Sequence, residues 1–254
     1  MNICFVGRHL EDIIPYFEKH HFVCCSDSPD MVVIHGGDGT LLGAERQYPG
    51  VPKFPIRDER TASLCPEHQY EKQIDQFLKG ELEDTTLTKL KAQLNGHELI
   101  GMNDIFLHND DRSSALRYRV LIDDVVYAED VVADGVGVST IHGSTAYYRS
   151  ITHSTFRVGI GLAFSNTTEV TNHIVLPEDS VIKIQVTRGP GVLLADNDPS
   201  RIIANEGDEL IIRKTSETAT IHGHEQFMCV ACRKLRYSRK HQFEQECLYK
   251  EPLL

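Results

Sequence analysis

The sequence predicts an α/β domain followed by an all-β domain, and three observations carry that prediction. Up to about residue 80, short β-branched runs alternate with stretches of helical spacing, the opening of an open parallel sheet. Asn95-Gly96 then separates two apolar runs, the strongest short-range hairpin signal. From there to about residue 225, β-rich runs follow one another with turns between them.

Taken in order, Asn2 to Val6 reads as a first strand. Leu10, Ile13, Ile14 and Phe17 recur at helical spacing, so a helix covers about 10–20, with Pro15 kinking or restarting it. Met31-Val32-Val33-Ile34 is short and β-branched enough for a buried strand. A glycine-rich turn follows, with Thr40 as the expected N-cap of a helix through about Arg46. Val51 to Ile56 reads as a third strand whose Pro52 and Pro55 suit a sheet edge. Pro66 opens a helix ending near Lys79, with Gly80 as its stop. Beyond the hairpin, β-rich runs cover 116–122, 125–132, 136–140, 181–187, 192–195 and 208–213. Phe227, Val230, Ala231, Lys234 and Leu235 then share one helical face. The expected organisation is an α/β nucleotide-binding domain over 1–85 and a β-rich substrate-binding domain over 86–225, with a helix over 226–254 packing back on the first.

Composition narrows the function. The 254 residues are 41% hydrophobic and 25% charged, ordinary for a globular protein. No apolar run approaches the roughly 20 residues that cross a bilayer, and the start has no basic n-region. Seven irregularly spaced cysteines fit reduced thiols, so a cytoplasmic protein with no membrane partner is expected. The net charge of −11 argues against nucleic acid as a partner. An anionic substrate would need local help from backbone N–H groups, magnesium or a few basic side chains.

Two stretches carry chemistry. In the first, Gly36, Gly37 and Gly39 let the backbone approach a ligand, and a helix N-terminus beginning near Thr40 suits phosphate. Asp38 among them is badly placed for an anion and well placed as a base or a magnesium ligand, as in phosphoryl transfer. An ordinary glycine-rich strand–helix turn is the alternative. The second stretch runs from Asp134-Gly135 through Ser139-Thr140 to Gly143-Ser144-Thr145-Ala146-Tyr147. Its hydroxyls, backbone N–H groups and aromatic ring suit a nucleoside, although a polar loop with a half-buried Tyr would read the same way.

Together these stretches resemble the NAD kinase family. Asn103-Asp104 stands where that family carries an Asn-Glu pair, and Thr171-Asn172-His173, Val175 to Ser180, Gly207-Asp208-Glu209 and the closing helix agree with it. The resemblance implies an α/β domain plus a β-sandwich-like one, the NAD kinase and diacylglycerol kinase-like fold. It implies transfer of the ATP γ-phosphate, with Mg2+ or another divalent cation, to the 2′-hydroxyl of the adenosine ribose of NAD. Asp38 would be the base, and Gly36, Gly37, Gly39 and Thr40 would meet the ATP phosphates. Asn103, Asp104, Asp134, Thr145, Ala146, Tyr147 and Ser150 would bind the substrate. A homodimer or homotetramer is implied, and no protein metal site is. A dinucleotide sensor without turnover, or a lipid or sugar kinase of the same superfamily, is the alternative.

The family's Asn-x-Gly-x-Leu-Gly-Phe-Leu segment is missing. Its place reads Pro55-Ile56-Arg57-Asp58-Glu59-Arg60-Thr61-Ala62-Ser63-Leu64, so adenine recognition is expected to differ. Arg57 and Arg60 are read as solvated, with phosphate binding the other possibility. His222 and His224 with Cys229 and Cys232 have the composition of a zinc set, but core packing is the expectation for the two cysteines.

Overall fold

The computed structural model describes residues 1–24, 28–61, 64–111 and 113–234. It divides into two compact units, one containing Met1–Thr86 with the chain from Thr220 onward, the other Leu87–Ala219.

The first unit is built on a parallel sheet. Strands β1 (Asn2–Gly7), β2 (Val23–Cys24), β3 (Met31–His35) and β4 (Lys53–Ile56) lie in the order β2-β1-β3-β4. All five residues of β3 are buried, as a central parallel strand requires. A short 3₁₀ turn at Leu10–Asp12 precedes α1 (Ile14–Glu18), so Pro15 restarts the helix at its first turn. Helix α2 (Asp38–Gln47) joins β3 to β4, and α3 (Tyr70–Leu78) follows a 3₁₀ turn at Pro66–His68. Phe17 anchors the core here, with its ring edge on Phe5, Phe22 and Phe54.

Two expectations need correction. Strand β4 is no edge: it pairs with β3 on one side and, through Lys53, with Ile221 of the last long strand on the other. Pro55 is tolerated because its nitrogen faces away from β3. Val32 and Gly36 bond the carbonyls of Pro52 and Ile56, so even-numbered residues of β4 serve β3. Pro55 points to the other side, where pairing is recorded only at Lys53. Thr40 is not the N-cap of α2 either. Gly37, in extended backbone, takes that position, and its carbonyl accepts from the N–H groups of Thr40 and Leu41.

The second unit is antiparallel. Its strands are β5 (Asp84–Leu94), β6 (His97–Gly101), β7 (Asp104–Asn109), β8 (Leu116–Ile122), β9 (Val125–Ala133) and β10 (Gly135–Ser139). They continue as β11 (Ile160–Ser165), β12 (Ile174–Leu176), β13 (Ile182–Arg188), β14 (Gly191–Ala195), β15 (Ile202–Ala204) and β16 (Glu209–His222). The outermost residues of β5 and β16 belong to the first unit. One sheet runs β16-β13-β8-β9 with the β5-β6 hairpin on β16, and the other runs β12-β11-β10-β7-β14-β15. Asn95 and Gly96 both have positive φ, the conformation that the tight hairpin turn demands.

Leu90, Tyr118, Val136, Leu162, Ile184 and Leu210 belong to one buried cluster drawn from both sheets, which makes the unit a sandwich. An α/β unit plus an all-β sandwich is the fold class that the sequence predicts. Short helix α4 (Tyr147–Thr152) covers the outer face of the second sheet through Tyr148, packed with Phe106 and Ala163. Glycine makes room beneath it: a Cβ on Gly161 would stand 2.6 Å from the Tyr148 ring, and one on Gly137 would stand 2.3 Å from Phe106.

The C-terminal helix is broken. Helix α5 (His224–Phe227) stops at Met228, and residues 230–234 are helical again. The rest of the expected 226–254 helix, with Leu235, Arg236, Arg239 and Lys240, lies outside the described residues. Among the described residues no helix is long and apolar enough to cross a membrane.

Candidate active site

The residues singled out by sequence fall into two groups, one in each unit. In the first unit β3 ends at His35, whose ring is buried and whose Nδ1 lies 2.8 Å from the Arg8 carbonyl. Its Nδ1–H therefore holds the loop after β1. Gly36 must be glycine for packing reasons: an added Cβ would lie 2.4 Å from Thr40 Oγ1 and 2.9 Å from Thr40 Cβ. Thr40 thus covers the turn from inside the helix. A Cβ on Gly37 would meet Arg57 Nη1 at an ordinary 3.7 Å, and Asp38 opens the first turn of α2 with its side chain 53% exposed.

The partner of Asp38 is Arg57. Its Nη2 donates to Asp38 Oδ1 at 2.9 Å, and Nη1 lies 3.5 Å from Oδ2. Arg57 is only 7% exposed, so the expectation of a solvated loop arginine is wrong. Its Nε donates to the Phe227 carbonyl at 3.0 Å, and its guanidinium stacks 3.9 Å from the Phe227 ring centroid. A planar cation fixed on two sides gives the carboxylate one orientation. Arg60 is exposed by contrast, and pairs with Asp12 at 2.6 Å.

In the second unit the residues gather around the start of β7. Asp196, at the end of β14, accepts from the backbone N–H groups of Met102, Asn103 and Asp104 at 2.7, 2.7 and 3.1 Å. Ser139 and Thr140 tie the same segment from the other side, since both hydroxyls donate to the Asn103 carbonyl. Gly143 packs so closely on that carbonyl that a Cβ would stand 2.0 Å from it. Asn103 and Asp104 are consequently buried and held by backbone, and Asn103 Oδ1 is a buried acceptor with no partner. Burial, reinforced by the Asp196 carboxylate, pushes the Asp104 carboxyl up to about 7, while a hydrogen bond from the Tyr147 N–H works against this.

Tyr147 is half-exposed and packs edge-on against Phe106 at 4.7 Å, with His108 at 5.4 Å. Burial holds His108 below the ordinary imidazole range. Thr145 and Ser150 are exposed, and the Ser150 hydroxyl donates to the Tyr147 carbonyl at 2.7 Å. Ser144 is buried and spends its hydroxyl on the Phe156 carbonyl. Asp134 accepts from Asn166 Nδ2 at 2.8 Å. Asn166 also lines a cleft of about 500 Å³ with Tyr147, Ser150, Ser165 and His173. Asp196 and Arg57 are the residues that sequence reasoning missed or misread. The signal for Asp196 was an acidic turn, Asp196-Asn197-Asp198, straight after an apolar strand.

The fold defines the class first. An NAD kinase from Archaeoglobus fulgidus, solved in complex with ATP, matches at TM-score 0.74 and 18% identity, over 91% of this chain and 97% of that one. A yeast NADH kinase complexed with NADH matches at 0.73 and 18%, over 91% and 86%. No protein-family model matches. Sequence then names the family: an NAD kinase of Chloroflexus aggregans is 30% identical over 207 residues, 75% of this chain and 74% of that protein. The chain belongs to the NAD kinase family.

Proposed function

We propose that the protein transfers the γ-phosphate of ATP to the 2′-hydroxyl of the adenosine ribose of NAD, giving NADP. The observation that carries this reading is Asp38, which opens α2 after two glycines and is held in one orientation by Arg57, in a chain of this family. The ribose oxygen attacks the γ-phosphorus, the bond from that phosphorus to the bridging oxygen of ADP breaks, and Asp38 takes the hydroxyl proton. Gly36, Gly37, Gly39 and Thr40 lie where the start of α2 favours phosphate.

On the substrate side, buried Asn103 and its neighbour Asp104 are assigned to the ribose and phosphate end of the substrate. Asp134, Thr145, Ala146, Tyr147 and Ser150 serve the nicotinamide and its ribose, with Tyr147 and Ser150 on the cleft wall. Magnesium fits as a companion of the nucleotide. Asp38 is a hard oxygen donor, and among the described residues no group of three carboxylates gathers around it, so the phosphates and water would supply most ligands. When bound, the ion neutralises charge on the transferred phosphoryl group. We further assign the protein to the cytoplasm, as a homodimer or homotetramer.

Mass spectrometry of NAD incubated with protein, ATP and magnesium tests this, beside Asp38→Asn. NADP is expected with the parent chain, and a rate lower by about 10²–10⁴ with the variant. Equal rates would remove Asp38 from the chemistry. The guanidinium already seated on Asp38 favours one rival, a dinucleotide sensor: tight NAD binding with no NADP from either protein would establish it instead.

A further inference from the structure

Away from Asp38, four side chains with no role in phosphoryl transfer converge in the first unit. Cys65, His68, Cys229 and Cys232 place their ligating atoms within 4.8 Å of one another. Cys65 precedes the 3₁₀ turn at Pro66–His68, and the His68 N–H bonds the Cys65 carbonyl at 2.9 Å. With about three residues per turn, that geometry brings residues i and i+3 to the same side. Cys229 sits at the break after α5 and Cys232 one turn further, since the Arg233 N–H bonds the Cys229 carbonyl at 3.0 Å. Two i, i+3 pairs, 161 positions or more apart, therefore face each other.

The two separations from Cys232 suit a shared metal, and the one between Cys65 and His68 is shorter. Cys232 Sγ lies 3.5 Å from Cys65 Sγ and 3.6 Å from His68 Nδ1, and Cys65 Sγ lies 3.0 Å from His68 Nδ1. Ligands on a tetrahedral zinc with bonds of about 2.3 Å to sulfur and 2.0 Å to nitrogen stand about 3.5–3.8 Å apart. A disulfide would bring the two sulfurs to about 2.0 Å. The Cys65 N–H also donates to Cys232 Sγ at 3.3 Å, the kind of outer support that stabilises a metal-bound thiolate. Cys65, Cys229 and Cys232 are free of disulfides, as is Cys4.

We propose that Cys65, His68, Cys229 and Cys232 bind one structural zinc ion, closing the loop after β4 onto the C-terminal return of the chain. Four protein ligands leave no open position, so the ion is a clip and does no catalysis. The pairing differs from the His222, His224, Cys229, Cys232 combination, for which the sequence favours core packing over zinc. His222 is engaged by Asp84, and Cys229 and Cys232 find their partners in Cys65 and His68, just after the Pro55 to Leu64 segment. The clip also lies two residues beyond Phe227, whose carbonyl and ring seat Arg57, so it steadies the support of Asp38.

The test reads metal and is independent of kinase activity. Full-length protein made in zinc-supplemented medium and passed through metal-free buffer is analysed for zinc by plasma mass spectrometry. One zinc per chain is expected, lost in Cys65→Ser and in Cys232→Ser and retained in Cys4→Ser. Replacement by cobalt(II) should give the absorption of a tetrahedral thiolate site in the parent chain. Zinc-free protein with all thiols titratable, a Cys65–Cys232 disulfide in unreduced peptide maps, or zinc retained in both Ser variants would each overturn the proposal.

Discussion

Asp104 is the residue whose surroundings make the sharpest demand. Its carboxyl is pushed up to about 7 by burial and then by Asp196, against about 3.9 in an unfolded chain. Between those two values the folded chain holds a proton that the unfolded chain has released. The stability tied to this proton is complete below the unfolded value and is lost as pH rises through about 7. The melting midpoint of the parent chain should therefore fall more steeply from about pH 4 to pH 7 than that of Asp104→Asn, which keeps the shape and cannot ionise. Differential scanning at constant ionic strength compares the two slopes, and equal slopes would mean that Asp104 ionises at no cost. Asp104 was legible in the sequence as a candidate. Its perturbation was not, because Asp196 is remote in the chain and the burial comes from packing.

At the scale of elements, α2 is fastened at both ends by contacts that periodicity does not announce. Its start is set by Gly37 and Arg57, its end by an ion pair between buried Glu45 and fully buried Lys53 of β4. Lys53 Nζ also donates to the Tyr48 carbonyl at 2.5 Å, and Glu45 Oε1 accepts from the Gly50 N–H at 3.1 Å. Removing one partner strands the other charge in the interior. Lys53→Met alone should cost about 3–5 kcal/mol in urea unfolding, and adding Glu45→Leu should recover most of it. A double variant as unstable as the single would show that the pair holds α2 to β4 in a way apolar packing cannot replace. The same element shows why Thr40 misled as a cap: its residue type fits the role, but the helix already begins at Asp38, and Thr40 is used to fill the space over Gly36.

For the whole molecule, the net charge of −11 leaves recognition of an anionic dinucleotide to local donors, and ligand binding should register on global stability. NAD at about a hundred times its Kd should stabilise the protein by about 2.7 kcal/mol, raising the melting midpoint, while diacylglycerol or free sugars should leave it unmoved. A midpoint raised by diacylglycerol and not by NAD would redirect the acceptor to lipid. By itself the sequence determined what local chemistry determines: strand and helix alternation in the first unit, the Asn95-Gly96 hairpin, the succession of β-rich runs, and the glycine-rich turn that presents Asp38. Strands β7 and β11 escaped because they are covered on both faces, so no alternation marks them, and unlike β3 each holds only one β-branched residue. Only the tertiary structure decided that Arg57 seats Asp38, that Asp196 supports Asn103 and Asp104, and that Cys65 and His68 meet Cys229 and Cys232. Each of these joins residues distant in sequence, and which distant residues meet depends on strand pairing and burial summed over the chain, information that no local pattern contains.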